Sequence, residues 1–141
     1  VDEPWGFAFK HLKSLKGQTT IVLTRNPSTE YWEDLYSLRP NILLAGEQSP
    51  ESLCEAIKIA KPQRILKLTP KYDYTLTPTE AKVLRLLAFV KTNKQIASAL
   101  NTEEQSIANH LHSIFAKMGV RRREEAMFKY WGMLGMIRSL G

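Results

Sequence analysis

The apolar periodicity of this chain changes at Thr77, and that change restricts it to two folds joined end to end. In the first half, short β-branched and aliphatic runs alternate with segments of helical spacing; beyond Thr77 the strand signals vanish. A short apolar run suits a buried strand, whereas recurrence at three and four residues suits one face of a helix. A chain of 141 residues has room for two small domains of this kind.

Trp5, Phe9, Leu12 and Leu15 recur at helical spacing, with Lys10, Lys13 and Lys16 on the other side and Gly17 as the stop. Thr19–Thr24 follows as a strand. Asn26-Pro27-Ser28-Thr29 is a turn with a capping residue, and Tyr31, Leu35 and Leu38 then mark a helix that must stop before Pro40. Ile42–Ala45 is a second buried strand, closed by Gly46. Ser49-Pro50 opens a helix, serine as N-cap and proline at the first position. Leu53, Ala56, Ile57 and Ala60 line its inner face, and Cys54 beside them reads as a small core residue. Helix–strand–helix–strand–helix requires parallel strands with helical crossovers.

Residues 61–76, with Pro62, Pro70 and a polar stretch, separate an α/β part at 1–60 from an all-helical part at 77–141; Ile65, Leu66 and Leu68 suit a short third strand there. The first helix of the second part opens on a capping box, Thr77 as N-cap and Glu80 at the third position, with Pro78 between them. Val83, Leu84, Leu87 and Val90 form its buried face. A turn at Lys91-Thr92-Asn93 leads to a short helix carrying Ile96, Ala97 and Leu100. Asn101-Thr102 starts the third helix, Thr102 and Gln105 having capping-box spacing, and Ile107, Leu111, Ile114 and Met118 share one face before Gly119. A last helix carries Ala126, Met127, Tyr130, Trp131, Leu134 and Ile137.

The net charge is +6. Residues 1–70 hold nine Lys/Arg against eight Asp/Glu, and residues 71–141 hold eleven against six, so the excess lies in the second half. A basic patch on a small domain is the footprint of a polyanion binder. No apolar run approaches bilayer length and no signal peptide opens the chain. One cysteine excludes an internal disulfide and suits the cytoplasm. His110 and His112 form a His-x-His without a third ligand in a sensible pattern, so neither a metal nor a cofactor is expected. No nucleophile or acid–base set converges on an enzyme either.

A short helix, a tight turn and a longer helix in a basic setting present the longer helix to the major groove of double-stranded DNA. Leu76-Thr77-Pro78-Thr79-Glu80-Ala81-Lys82-Val83-Leu84, Asn93-Lys94-Gln95-Ile96-Ala97, Ile107-Ala108-Asn109-His110-Leu111 and Lys117-Met118-Gly119-Val120 together resemble the LuxR/GerE-type helix-turn-helix. The resemblance implies a structural role for Glu80 and DNA contacts from Lys94, Asn109, His110 and Lys117. It also implies pairing of subunits through the fourth helix, here Met127, Trp131 and Leu134. The helix at 103–118 is expected in the groove, with Gln105, Asn109 and His110 nearest base edges and Lys94 and Lys117 on phosphates. Arg121 and Arg122 join the candidate contacts. The family usually has Lys at the place of Ala108 and often a basic residue at that of Gln105. Those departures keep open an interaction module whose helix-turn-helix no longer holds DNA tightly.

The stretches Thr19–Thr24, Asn41–Ala45 and Ser49–Leu53 resemble the last strand–helix units of a response-regulator receiver domain. Thr24 matches that family's switch residue, Gly46 stands at the place of its lysine, and Asp2 lies near the phosphoacceptor's place within a compressed Asp2-Glu3-Pro4. The expectation is therefore a transcription regulator of response-regulator type, homodimeric, nucleoid-associated when bound and not controlled by conventional aspartate phosphorylation. A small parallel sheet leaves an open edge that preceding strands, a second copy or another regulatory protein must cover.

Overall fold

The computed structural model describes residues 1–134. It contains two compact units, Val1–Tyr72 and a second that begins at Asp73. The elements of the first are α1 (Phe7–His11) with a 3-10 turn (Leu12–Leu15), β1 (Ile21–Thr24), α2 (Thr29–Ser37), β2 (Ile42–Ala45), α3 (Pro50–Ile59) and β3 (Leu66–Leu68). Those of the second are α4 (Pro78–Ala88), α5 (Asn93–Leu100), α6 (Glu104–Met118) and α7 (Arg123–Tyr130).

The three strands make one parallel sheet in the order β1-β2-β3, with Ile21 opposite Ile42 and Ile42 opposite Leu66. All four β2 residues are buried, as a central strand requires, while β1 alternates. One core joins Ile42, Leu44 and Ala56, with Ile21, Leu23, Leu53, Ile59, Ala60 and Leu66 packed against it. Asn41 ties its near end: the side-chain oxygen accepts from Thr20 N–H at 2.8 Å, and Nδ2 donates to the carbonyls of Lys61 and Pro62. β3 is anchored by Lys67, whose ammonium reaches Glu33 Oε1 at 2.6 Å and the Tyr72 hydroxyl at 2.8 Å; that hydroxyl donates to the same carboxylate.

Several local expectations are corrected. The first helix spans only Phe7–His11, because Gly6 is left-handed (φ 95°) and the chain tightens at Leu12, where Ser14 Oγ bonds the His11 carbonyl. Cys54 and Ile57 are exposed. The stripe of α3 that meets the sheet is Leu53, Ala56, Ile59 and Ala60, and steps of 100° carry Cys54 and Ile57 off it.

In the second unit α4 packs on α5, α6 and α7. Val83, Leu84 and Leu87 are buried together with Ile96, Ala97, Ile107, Leu111, Ile114, Met118, Ala126 and Tyr130. Val90 is not part of this face: α4 ends at Ala88, and Val90 turns left-handed (φ 63°) and outward. α6 begins at Glu104, with Glu103 in the cap position and no side-chain cap bond. The expected Thr102 cap fails because Asn101 is needed as the left-handed end of α5, and Thr102 N–H is spent on the Ala97 carbonyl. α7 ends at Tyr130, with Gly132 at φ 72° breaking the single helix expected through Leu134. Ile137 lies outside the described residues.

Candidate nucleic-acid interface

Two capping boxes position the helix-turn-helix. Thr77 Oγ1 accepts from Glu80 N–H at 3.2 Å while Glu80 Oε2 accepts from Thr77 N–H at 2.8 Å. Thr92 and Gln95 repeat the arrangement at the start of α5. Each box satisfies two helix-terminal donors, which fixes where a short helix begins. Ile96 and Ala97 then bury α5 against the unit, and α6 lies on both α4 and α5.

Burial of Ile107, Leu111, Ile114 and Met118 decides which face of α6 is left to solvent. That face carries Gln105, Ala108, Asn109, His112 and Ala116, all exposed. Gln105 Nε2 donates to Asn109 Oδ1 at 3.2 Å. His110 is half-buried at the margin of the stripe. Lys94 is exposed in the first turn of α5, and Arg121 and Arg122 are exposed in the turn before α7.

Lys117 is placed differently from these. Its ammonium sits 2.7 Å from Glu80 Oε2, a carboxylate with only 6% of its side chain exposed, and Ser113 Oγ donates to the other oxygen at 2.7 Å. Burial pushes the Glu80 carboxyl upward, but the bonds from Lys117, Ser113 and the Thr77 N–H outweigh it and hold the group at about 2. Arg123, which follows Arg121 and Arg122, is structural as well: it donates to Asn93 Oδ1 at 3.2 Å and to the Lys91 carbonyl at 3.1 Å, joining α7 to the start of α5 and the turn before it.

Of the expected subunit seam, Met127 and Leu134 are half-buried. Trp131 donates from Nε1 to the Ala88 carbonyl at 2.9 Å and meets the Phe89 ring edge-on at 5.4 Å, within the same unit.

In the first unit, Asp2 is buried. Its Oδ1 accepts from Ala8 N–H at 2.9 Å, and its Oδ2 accepts from the Tyr31 hydroxyl at 2.5 Å and Thr24 Oγ1 at 3.2 Å. Burial, with the Asp2 bond, pushes the Tyr31 phenol far up. Sequence reasoning missed Tyr31 as the partner of Asp2, since 29 residues separate them. Among the described residues, no three His, Cys, Asp or Glu side chains converge to hold a metal ion. No described helix is long and apolar enough to cross a membrane.

The family model of bacterial regulatory proteins, luxR family, matches residues 74–129. The spore germination protein GerE of Bacillus subtilis (strain 168) is 40% identical over 52 residues, 37% of this chain and 70% of that protein. The nitrate/nitrite response regulator protein NarP of Escherichia coli (strain K12) is 45% identical over 51 residues, 36% of this chain and 24% of that one. Among solved structures, that of two RcsB dimers bound to two parallel DNAs is similar with a TM-score of 0.53 and 22% identity, covering 87% of this chain and 63% of that one. RcsB from Salmonella enterica serovar Typhimurium, bound to promoter rprA in the presence of phosphomimetic BeF3-, gives 0.52 and 22%, with 88% and 64% covered. At that identity the likeness is one of fold: parallel strands with helices, then an all-helical domain with a helix-turn-helix. This chain spans about a quarter of NarP and under two thirds of the RcsB chains.

Proposed function

The chain belongs to the luxR family of bacterial regulatory proteins, and from that premise we propose that it regulates transcription by presenting α6 to the major groove of duplex DNA. One observation carries the reading: the side of α6 left to solvent by packing holds Gln105, Ala108, Asn109 and His112, without Lys, Arg, Asp or Glu among them, and the exposed cations Lys94, Arg121 and Arg122 lie on neighbouring elements. Neutral hydrogen-bonding groups suit base edges, and cations suit phosphates. His110, at the margin of the stripe, belongs to the same contact surface. Lys117 acts through Glu80, fixing α6 against α4, rather than as a free phosphate ligand. Two subunits pair through Met127 and Leu134, placing their recognition helices about 34 Å apart on a near-palindromic site.

The first unit does not work as a conventional aspartyl-phosphate switch. Both oxygens of Asp2 are engaged by Ala8, Thr24 and Tyr31, and Gly46 supplies no cation where the receiver resemblance places a lysine. Titration of fluorescent genomic and random duplexes at two salt concentrations tests the whole proposal. Binding that is tight, selective and steeply weakened by salt supports it, and adding beryllofluoride with Mg²⁺ should leave the affinity unchanged. A beryllofluoride-dependent gain in affinity contradicts the second part alone.

A second reading draws on the same helix. Glu103 and Glu104 place two exposed carboxylates at the start of α6, where they oppose phosphate. An interaction module with a helix-turn-helix that no longer holds DNA is the outcome if the folded chain fails to bind duplex at low salt.

A further inference from the structure

The exposed stripe of α6 has a chemistry that selects among bases. Gln105 and Asn109 lie one turn apart, and the bond from Gln105 Nε2 to Asn109 Oδ1 at 3.2 Å joins them into one unit. That bond uses a Gln105 donor and the Asn109 acceptor. What remains for a ligand is the Gln105 carbonyl oxygen as acceptor, with the second Gln105 N–H and the two Asn109 N–H groups as donors. Adenine offers the complement in the major groove, a donor at N6 beside an acceptor at N7. Guanine offers two acceptors, O6 and N7, and no donor for the Gln105 oxygen.

Three neighbouring features point the same way. Ala108 is exposed on α6 beside the two amides, and a methyl group on a recognition helix fits the C5-methyl of thymine. The usual reader of guanine is a bidentate Arg or Lys, and this stripe holds neither. Glu104 is the charged residue next to the pair, and a carboxylate is likewise repelled by the two acceptors of guanine. His112, one turn further, offers its ring to any purine N7 and does not discriminate.

We propose that the Gln105–Asn109 amide pair reads adenine and that Ala108 packs on an adjacent thymine methyl, so that each half-site has an A·T core. The inference rests on the DNA-binding reading above and adds the base class to it.

The test selects duplexes from a random pool with the full chain at low salt, then measures affinities for the selected duplex and for single replacements within it. The expected result is an A·T core. Replacing its key adenine by guanine weakens binding on the order of tenfold, in the range of a single mismatched base pair. 7-Deazaadenine reproduces much of that loss, and uracil in place of the contacted thymine, lacking the methyl, weakens binding to a smaller degree. Gln105→Ala should bring adenine and guanine duplexes to nearly equal affinity, and Ala108→Lys should move the preference toward guanine. Duplex binding with a G·C core, or discrimination that survives Gln105→Ala, overturns the inference and leaves the DNA-binding reading standing. Absence of any duplex binding by the folded protein overturns both.

Discussion

Glu80 serves two purposes from one position. It closes the capping box of α4, and its buried carboxylate holds Ser113 and Lys117 of α6. Removing Lys117 leaves that charge buried with its main partner gone, the costly way to break a buried pair. Lys117→Met should therefore lose about 3 kcal/mol at neutral pH, measured by urea unfolding of the second unit's signal. The pH dependence has a defined sign. The folded carboxyl sits at about 2 against an ordinary value of 4.5, so its contribution is fully present above 4.5 and is lost as pH falls toward 2. In Lys117→Met that acid-induced loss should be largely absent, and a variant melting like the parent across this range would show that the ion pair does not anchor α6. The capping box was legible because its two residues stand three apart with proline between them. The ion pair was not: 37 residues separate its members, and sequence alone offered Lys117 to phosphate. Asn41 was missed for the same reason, since its partners at Thr20, Lys61 and Pro62 become neighbours only when the sheet forms.

The ends of the three helices that build the helix-turn-helix follow one rule with three different residues. α4, α5 and α6 are each followed by a left-handed residue, Val90, Asn101 and Gly119 respectively. In each case paired backbone bonds close the last turn, as from Val90 N–H to the Leu87 carbonyl and Lys91 N–H to the Leu86 carbonyl. Glycine suits this conformation and asparagine tolerates it, whereas a β-branched valine strains. Gly119 was accordingly readable as a stop. Asn101 was read as a helix start, because asparagine favours both roles, and Val90 was read as core, because its spacing fits the buried face. The structure exposes Val90 by 75%, so its side chain offsets little of the strain. Val90→Gly should stabilise the second unit by about 1 kcal/mol, with a higher Tm and unchanged DNA affinity. A lower Tm would mean that valine at this turn is held by contacts that outweigh its backbone conformation. In the first unit, the alternation of strand and helix was legible from Pro40, Gly46 and Ser49-Pro50, which punctuate it. The third strand was harder to see, since Leu66-Lys67-Leu68 is short and carries a lysine whose partners come from α2 and from Tyr72.

Taken as a whole, the molecule places a nearly neutral α/β unit before a basic helical one in the chain, and the exposed cations Lys94, Arg121 and Arg122 lie off α6, the helix proposed to meet bases. Of the basic residues that sequence offered to DNA, Lys117 is ion-paired with Glu80 within the unit, and Lys94, Arg121 and Arg122 are exposed. Affinity from phosphates and choice from bases then reside on different residues and are separable by salt. The central claim is that duplex DNA lies across α6 with Lys94, Arg121 and Arg122 on its phosphates. The most direct measurement is the salt dependence of duplex affinity for the parent chain and for the triple variant Lys94→Ala, Arg121→Ala, Arg122→Ala. The account predicts a slope of log affinity against log salt that is shallower by about three in the variant, roughly one per lost contact, with the base preference retained. An unchanged slope in a folded variant would place the DNA elsewhere on the protein and contradict the account.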